Sequence, residues 1–146
     1  MSLCHTVQLD TNKVGKVSKS ANSPDELALV DGAEDVGFYF NEKTPQYLGV
    51  TFKHSPKANK NERYETLVEF PFDSDRKRMS LVLRNAETKQ LILMCKGADT
   101  VMIPRTILST EDKDVIEDHL YKFACSGLRT LMMSQKTLDE AHFKNW

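Results

Sequence analysis

The chain has 146 residues, 40% of them apolar and 28% charged, with 20 basic against 21 acidic side chains and a formal net charge of −1. That length fits one domain with a sizeable core, and the charge balance gives no broad field for a nucleic-acid duplex or an anionic membrane surface, so any anion recognised here must meet a local cluster. No window approaches 18 consecutive apolar residues and the first five residues are not ordered like a signal peptide; Cys4, Cys95 and Cys125 lack CxxC spacing and read as free thiols in a reducing compartment.

Residues 1–22 are polar and predict a short strand over 5–8, then a loop carrying Lys13, Lys16 and Lys19. Ser23-Pro24-Asp25-Glu26 combines an N-cap serine, a proline at the first helical position, acids in the first turn and a capping-box glutamate. It predicts a helix over 24–36. Phe38-Tyr39-Phe40 and residues 47–53 read as strands from their aromatic and β-branched content, and 54–62 as a solvated loop. Residues 64–70, 79–84 and 90–95 are three further strands; their short polar connections predict an antiparallel meander. A short helix over 100–103 breaks before Pro104. Ser109-Thr110-Glu111-Asp112 then caps a longer one, whose Val115, Ile116, Leu120, Phe123 and Ala124 form one apolar stripe. Lys122 sits in its last turn and Gly127 at its C-cap. Residues 128–135 read as a strand, and Thr137-Leu138-Asp139-Glu140 as a third capping box opening a helix in which the chain ends. The expected fold is α+β, an antiparallel β-sheet flanked by helices, with residues 1–146 as one domain that looks like an excised piece.

Polar groups cluster at element ends in four segments: 23–26, 72–80, 96–99 and 126–130. In the second, Phe72 precedes a turn with Arg76, Lys77 and Arg78. A purine can lie on a phenyl face while the cations reach phosphate; a solvated charged turn after a core phenylalanine is the other reading. Lys96-Gly97 ends an apolar strand, where glycine would let a ligand approach the backbone, or would simply make a turn. Gly127-Leu128-Arg129 poses the same choice at a helix-to-strand junction. The sequence holds no GxxxxGK[ST] and no GxGxxG, and His5, His54, His119 and His142 are scattered without metal-ligand spacing.

In this order the segments resemble one family. Ser23-Pro24-Asp25-Glu26-Leu27-Ala28-Leu29-Val30 resembles the SPDE-x-ALV segment of P4-type ATPases, the phospholipid flippases. Residues 72–80 resemble their F-x-S-x-RKRMS stretch, 96–101 their KGADTV and 127–131 their GLRTL. Cys4-His5-Thr6-Val7 and Phe143-Lys144-Asn145-Trp146 resemble flanking segments, so the likeness covers essentially the whole chain. All of these belong to the nucleotide-binding (N) domain. The family's DKTGT, DGET and GDGxND motifs do not occur here, nor do its transmembrane helices.

The resemblance implies an N domain that holds ATP for phosphorylation of an aspartate in another domain, with no catalytic residue and no metal ligand of its own. It implies that Phe72 stacks on adenine, with Ser74 beside the nucleotide and Lys77 in basic contact with it. Lys96 would lie at the adenine pocket, Gly97 would allow close approach, Arg129 would reach for the phosphates with Thr130 beside it, and Glu26 would face the adenine edge. Mg2+ would arrive with ATP, its ligands mostly in the phosphorylation domain. The implied partners are ATP, the phosphorylation and actuator domains, and an accessory subunit of the parent; phospholipid is met only through the membrane region, and no nucleic acid is expected. The parent would be an integral membrane protein with this domain on its cytosolic side, and the isolated chain would bind ATP without hydrolysing it. Two other readings remain: the N domain of a cation-transporting P-type ATPase, and an interaction module without nucleotide.

Overall fold

The protein is described by a computed structural model covering residues 1–11, 17–53 and 60–146. Lys13, Lys16 and most of the loop expected over 54–62 lie outside those residues. Residues 60–62 do not belong to a loop but open a long strand.

The alternating segments pair as the meander expected. Strands β3 (Phe38–Lys43), β4 (Tyr47–Phe52), β5 (Lys60–Asp73), β6 (Arg78–Asn85), β7 (Leu91–Gly97) and β8 (Met132–Leu138) form a six-stranded sheet in that spatial order, every pair antiparallel. A separate two-stranded ladder joins β1 (Gln8–Thr11) to β2 (Val17–Ser20). The first strand therefore starts at Gln8, not at residue 5. His5 is held in a bend instead: its Nδ1 accepts from the Val7 amide at 3.2 Å, and its Nε2 lies 3.1 Å from the Ser2 carbonyl.

One face of the sheet carries the core. Met79, Leu81 and Leu83 alternate inward from β6 and meet Tyr64, Leu48, Val50 and Phe40. Helix α1 (Pro24–Asp35) covers this face through Val30, with Leu27 packed at its margin, and the N-terminal Leu3, Cys4 and Val7 close the edge. Proline at the first turn starts α1 as expected, but Ser23 makes no side-chain cap, and the Glu26 carboxylate bonds elsewhere.

The back face holds Ser80, Val82, Leu93 and Cys95. Short helix α2 (Asp99–Met102) buries Met102 completely and runs through a 3-10 turn at Ile103–Arg105. Helix α3 (Thr110–Cys125) is capped as its sequence predicts. Ser109 Oγ accepts from the Asp112 amide at 3.0 Å, and Gly127 (φ +69°) ends the helix in a Schellman motif, with Gly127 N bonded to Ala124 O and Leu128 N to Phe123 O. Its stripe is only partly covered: Ile116 and Leu120 are half-buried, no α3 residue is fully buried, and Val115 and Phe123 are 54% and 46% exposed. Helix α4 (Glu140–Lys144) is capped by Asp139, whose Oδ1 accepts from His142 N at 2.9 Å; Thr137 lies in β8 and plays no part. No helix among the described residues is long and apolar enough to cross a membrane.

Candidate functional site

The site begins with an irregularity in β5. Phe70 pairs with Ser80 and Asp73 with Arg78, so Pro71 and Phe72 together oppose the single residue Met79. This is a β-bulge, and proline is tolerated there because the ladder is already interrupted. Pleat alternation would send Pro71 and Phe72 to opposite faces. Instead both line one cleft of about 540 Å3, on the same side of the sheet as α1. Buried Met79 forms its floor, and Phe72, 61% exposed, stands over it as an open aromatic face.

The opposite wall is ionic. Lys96 Nζ, at the end of β7, lies 2.6 Å from Glu26 Oε1 in the first turn of α1, and the two side chains are 9% and 13% exposed. The second carboxylate oxygen of Glu26 accepts from the Thr6 amide at 3.1 Å and from the Thr6 hydroxyl. Burial alone would raise the Glu26 carboxyl, but the bonds from Lys96 and Thr6 outweigh it and hold it below the usual carboxylate range. One of the three ammonium donors of Lys96 is spent on Glu26, which leaves two for a ligand. Behind this wall the Cys4 and His5 side chains are uncharged at neutral pH. Burial pushes the Cys4 thiol up to about 11 and His5 down to about 4, so His5 is neutral, with its proton on Nε2 donated to Ser2 O.

At the rim, Arg129 Nη2 lies 2.9 Å from Asp25 Oδ1 while its side chain remains 83% exposed, and Leu131 reaches into the cleft. The turn after Phe72 is held by its own residues. Asp73 Oδ1 accepts from the amides of Asp75 and Arg76, and Arg76 bonds both Asp73 Oδ2 and the Pro71 carbonyl. The Arg76 amide bond is the leading cause that holds the Asp73 carboxyl below its ordinary value.

Of the residues picked out from sequence, the fold brings Glu26, Phe72, Lys96 and Gly97 into one cleft and sets Arg129 at its edge. Ser74 and Lys77 sit in the turn, and Thr130 sits beside the rim; none of the three lines the cleft. Gly97 lines the cleft and also has a packing reason: a Cβ there would stand 2.5 Å from Lys77 O and 2.7 Å from Arg78 Cβ, so the close crossing of the β5–β6 turn requires glycine. Lys77 takes the left-handed conformation (φ 51°) in that turn, and its carbonyl accepts from Ala98 N. Thr6 and Leu131 were missed as cleft residues. Leu131 lies inside the GLRTL stretch that signalled the rim, and Thr6 inside the Cys4-His5-Thr6-Val7 stretch, which read only as a flanking segment.

A pocket with one bare aromatic face, an apolar floor and an ammonium–carboxylate edge suits a flat heteroaromatic ring with polar edge atoms. The family model for the P-type ATPase cytoplasmic domain N matches residues 1–146, and the chain belongs to that family. Within it, the chain is similar to the phospholipid-transporting ATPases. It is 40% identical to the human phospholipid-transporting ATPase ID, 39% to the mouse phospholipid-transporting ATPase FetA and 36% to the probable phospholipid-transporting ATPase 7 of Arabidopsis thaliana, each over the whole chain. The chain spans about 12% of the length of these relatives.

Proposed function

We propose that residues 1–146 act as one ATP-binding unit of a longer P4-type, phospholipid-transporting membrane ATPase. The observation that carries this reading is the bulge, which turns Phe72 out over Met79 directly opposite the Glu26–Lys96 edge. The adenine ring stacks on Phe72, which is worth ~1–3 kcal/mol by the measure of bases on protein aromatics. Lys96 donates to a ring nitrogen, and the Glu26 carboxylate draws the exocyclic amine. Arg129, exposed at the rim, exchanges Asp25 for phosphate, and Lys77, Ser74 and Thr130 serve the outer end of the nucleotide. Mg2+ arrives on the phosphates of the nucleotide, with its ligands mostly in the phosphorylation domain.

Arg129 is 83% exposed at the rim, so phosphates held there leave the γ-phosphate available to an aspartate in a separate phosphorylation domain, and proximity does the catalytic work there. The isolated chain binds ATP and does not hydrolyse it. In the intact protein, with this domain on the cytosolic side, the cycle with the phosphorylation and actuator domains and an accessory subunit drives phospholipid toward the cytosolic leaflet. The relatives' names favour this reading over cation transport.

The test is a titration of the chain with ATP, with and without Mg2+, followed by amide chemical shifts and an ADP assay. Shifts converging on Phe72, Lys96 and Arg129 with no ADP formed are expected. Unchanged spectra up to millimolar ATP would sink the proposal.

A further inference from the structure

The Glu26–Lys96 wall of the cleft has a third member. Thr6 lines the same cleft, and its amide, at 3.1 Å, and its hydroxyl both donate to Glu26 Oε2, while Lys96 Nζ holds Glu26 Oε1 at 2.6 Å. Thr6 is itself fixed by its surroundings. Cys4, His5 and Val7 beside it are buried, the His5 ring accepts from the Val7 amide and lies 3.1 Å from the Ser2 carbonyl, and it packs edge-on against Phe40 with ring centroids 4.4 Å apart. A carboxylate held on one oxygen by an amide and a hydroxyl from such an anchor has lost the freedom to rotate or withdraw.

That rigidity decides which base edge the wall can read, given the adenine site proposed above, on which this step rests. An ionised carboxylate only accepts and an ammonium only donates. Adenine presents an amine at C6 and an acceptor at N1, which match Glu26 and Lys96 in that order. A 6-oxo purine presents an acceptor at C6 and a donor at N1, the same two characters exchanged. A mobile carboxylate could follow the exchange by shifting from the 6-position to N1 while Lys96 donates to the oxygen. A second cation also draws Glu26: Lys43, in an adjoining pocket of about 190 Å3 that shares Thr6 with the cleft, feels the charges of Glu69 and Glu26. The two bonds from Thr6 oppose both movements.

We propose that Thr6 is a positioning residue for base selection: by holding Glu26 Oε2 through its amide and hydroxyl, it keeps the carboxylate on the 6-amine of adenine and makes the cleft reject 6-oxo purine nucleotides. Thr6 acts through Glu26 and need not touch the nucleotide. Discrimination of this kind comes from setting like groups against the wrong base, which works only while those groups cannot move aside.

The experiment measures the Kd of ATP and of ITP, whose base is the 6-oxo purine hypoxanthine, by calorimetric titration of the unaltered 146-residue chain and of three variants. Thr6→Val keeps the shape of the side chain without its hydroxyl, Thr6→Ala removes the hydroxyl without adding bulk, and Thr6→Ser keeps the hydroxyl. Thr6 is half-buried, and slow amide exchange in β5–β7 verifies that each variant folds. Ribose, phosphates and stacking on Phe72 are common to the two nucleotides, so the ratio Kd(ITP)/Kd(ATP) isolates the base edge. The unaltered chain and Thr6→Ser should prefer ATP by a similar ratio, and that ratio should fall at least about fivefold in Thr6→Val and Thr6→Ala, the scale of one hydrogen bond to a charged group. A general structural loss would weaken both nucleotides together and leave the ratio unchanged. An unchanged ratio in Thr6→Val and Thr6→Ala, an equal fall in Thr6→Ser, or equal affinity of the unaltered chain for ATP and ITP would overturn the inference while ATP binding itself stands. An unaltered chain that binds neither nucleotide would remove the adenine site and this inference with it.

Discussion

Removing one partner of the Glu26–Lys96 pair tests whether the cleft wall is a single electrostatic unit. In Lys96→Met the Glu26 carboxylate keeps its bonds from Thr6 but loses its cation at 2.6 Å. In Glu26→Gln a buried ammonium loses its counter-charge. Breaking a fully buried pair costs ~3–5 kcal/mol. This pair borders an open cleft whose water partly replaces the missing partner, so about 2–3 kcal/mol is expected from either single change. At roughly 2–4 °C per kcal/mol for a domain this long, melting should fall by about 4–12 °C. The double variant should lose less than the two losses added, with a coupling energy of about 1–3 kcal/mol. The pH dependence has a fixed sign. The Glu26 carboxyl lies below its ordinary value in the folded state, so its contribution is complete above the unfolded carboxyl range and disappears as pH falls through the folded value. The deficit of Lys96→Met relative to the unaltered chain should therefore shrink in acid. Urea melts at neutral and acid pH read all of this. Strictly additive single variants, or a deficit independent of pH, would refute the claim that the two residues act together.

Phe72→Ala should weaken ATP binding by roughly 5- to 150-fold, the equivalent of ~1–3 kcal/mol of stacking; the side chain is mostly exposed, so stability should change by less than about 0.5 kcal/mol. Calorimetric titration and thermal melts separate the two effects. Gly97→Ala forces a methyl against the Lys77 carbonyl and Arg78, and should destabilise by about 1–3 kcal/mol in denaturant melts; full stability would mean that the β5–β6 turn gives way freely. His5 is neutral when folded, with its pKa lowered to about 4 by burial, while the unfolded chain takes up a proton near pH 6.5. Stability should therefore drop by about 3 kcal/mol between pH 7.5 and pH 4, and His5→Gln should flatten that slope.

Local chemistry fixed a good deal of this protein in advance. Pro24 starts α1, Ser109 and Gly127 bracket α3, and the period-2 runs on either side of the Asp73–Arg78 turn pair as a meander, because capping, turn formation and alternation act over a few residues. The same nearness made four stretches stand out as ends of elements, and their order along the chain carried the family resemblance. Three features needed the folded chain. Glu26 has the spacing of a capping-box acid, yet a lysine 70 positions away and the Thr6 backbone offer it a better-buried partnership than Ser23 does. Phe72 faces the cleft because a bulge puts Pro71 and Phe72 opposite one residue, and a bulge is a property of two strands together. The α3 stripe announces an apolar face but not what it meets, since amphipathic periodicity specifies a need for burial and only the surrounding surfaces decide where that need is satisfied.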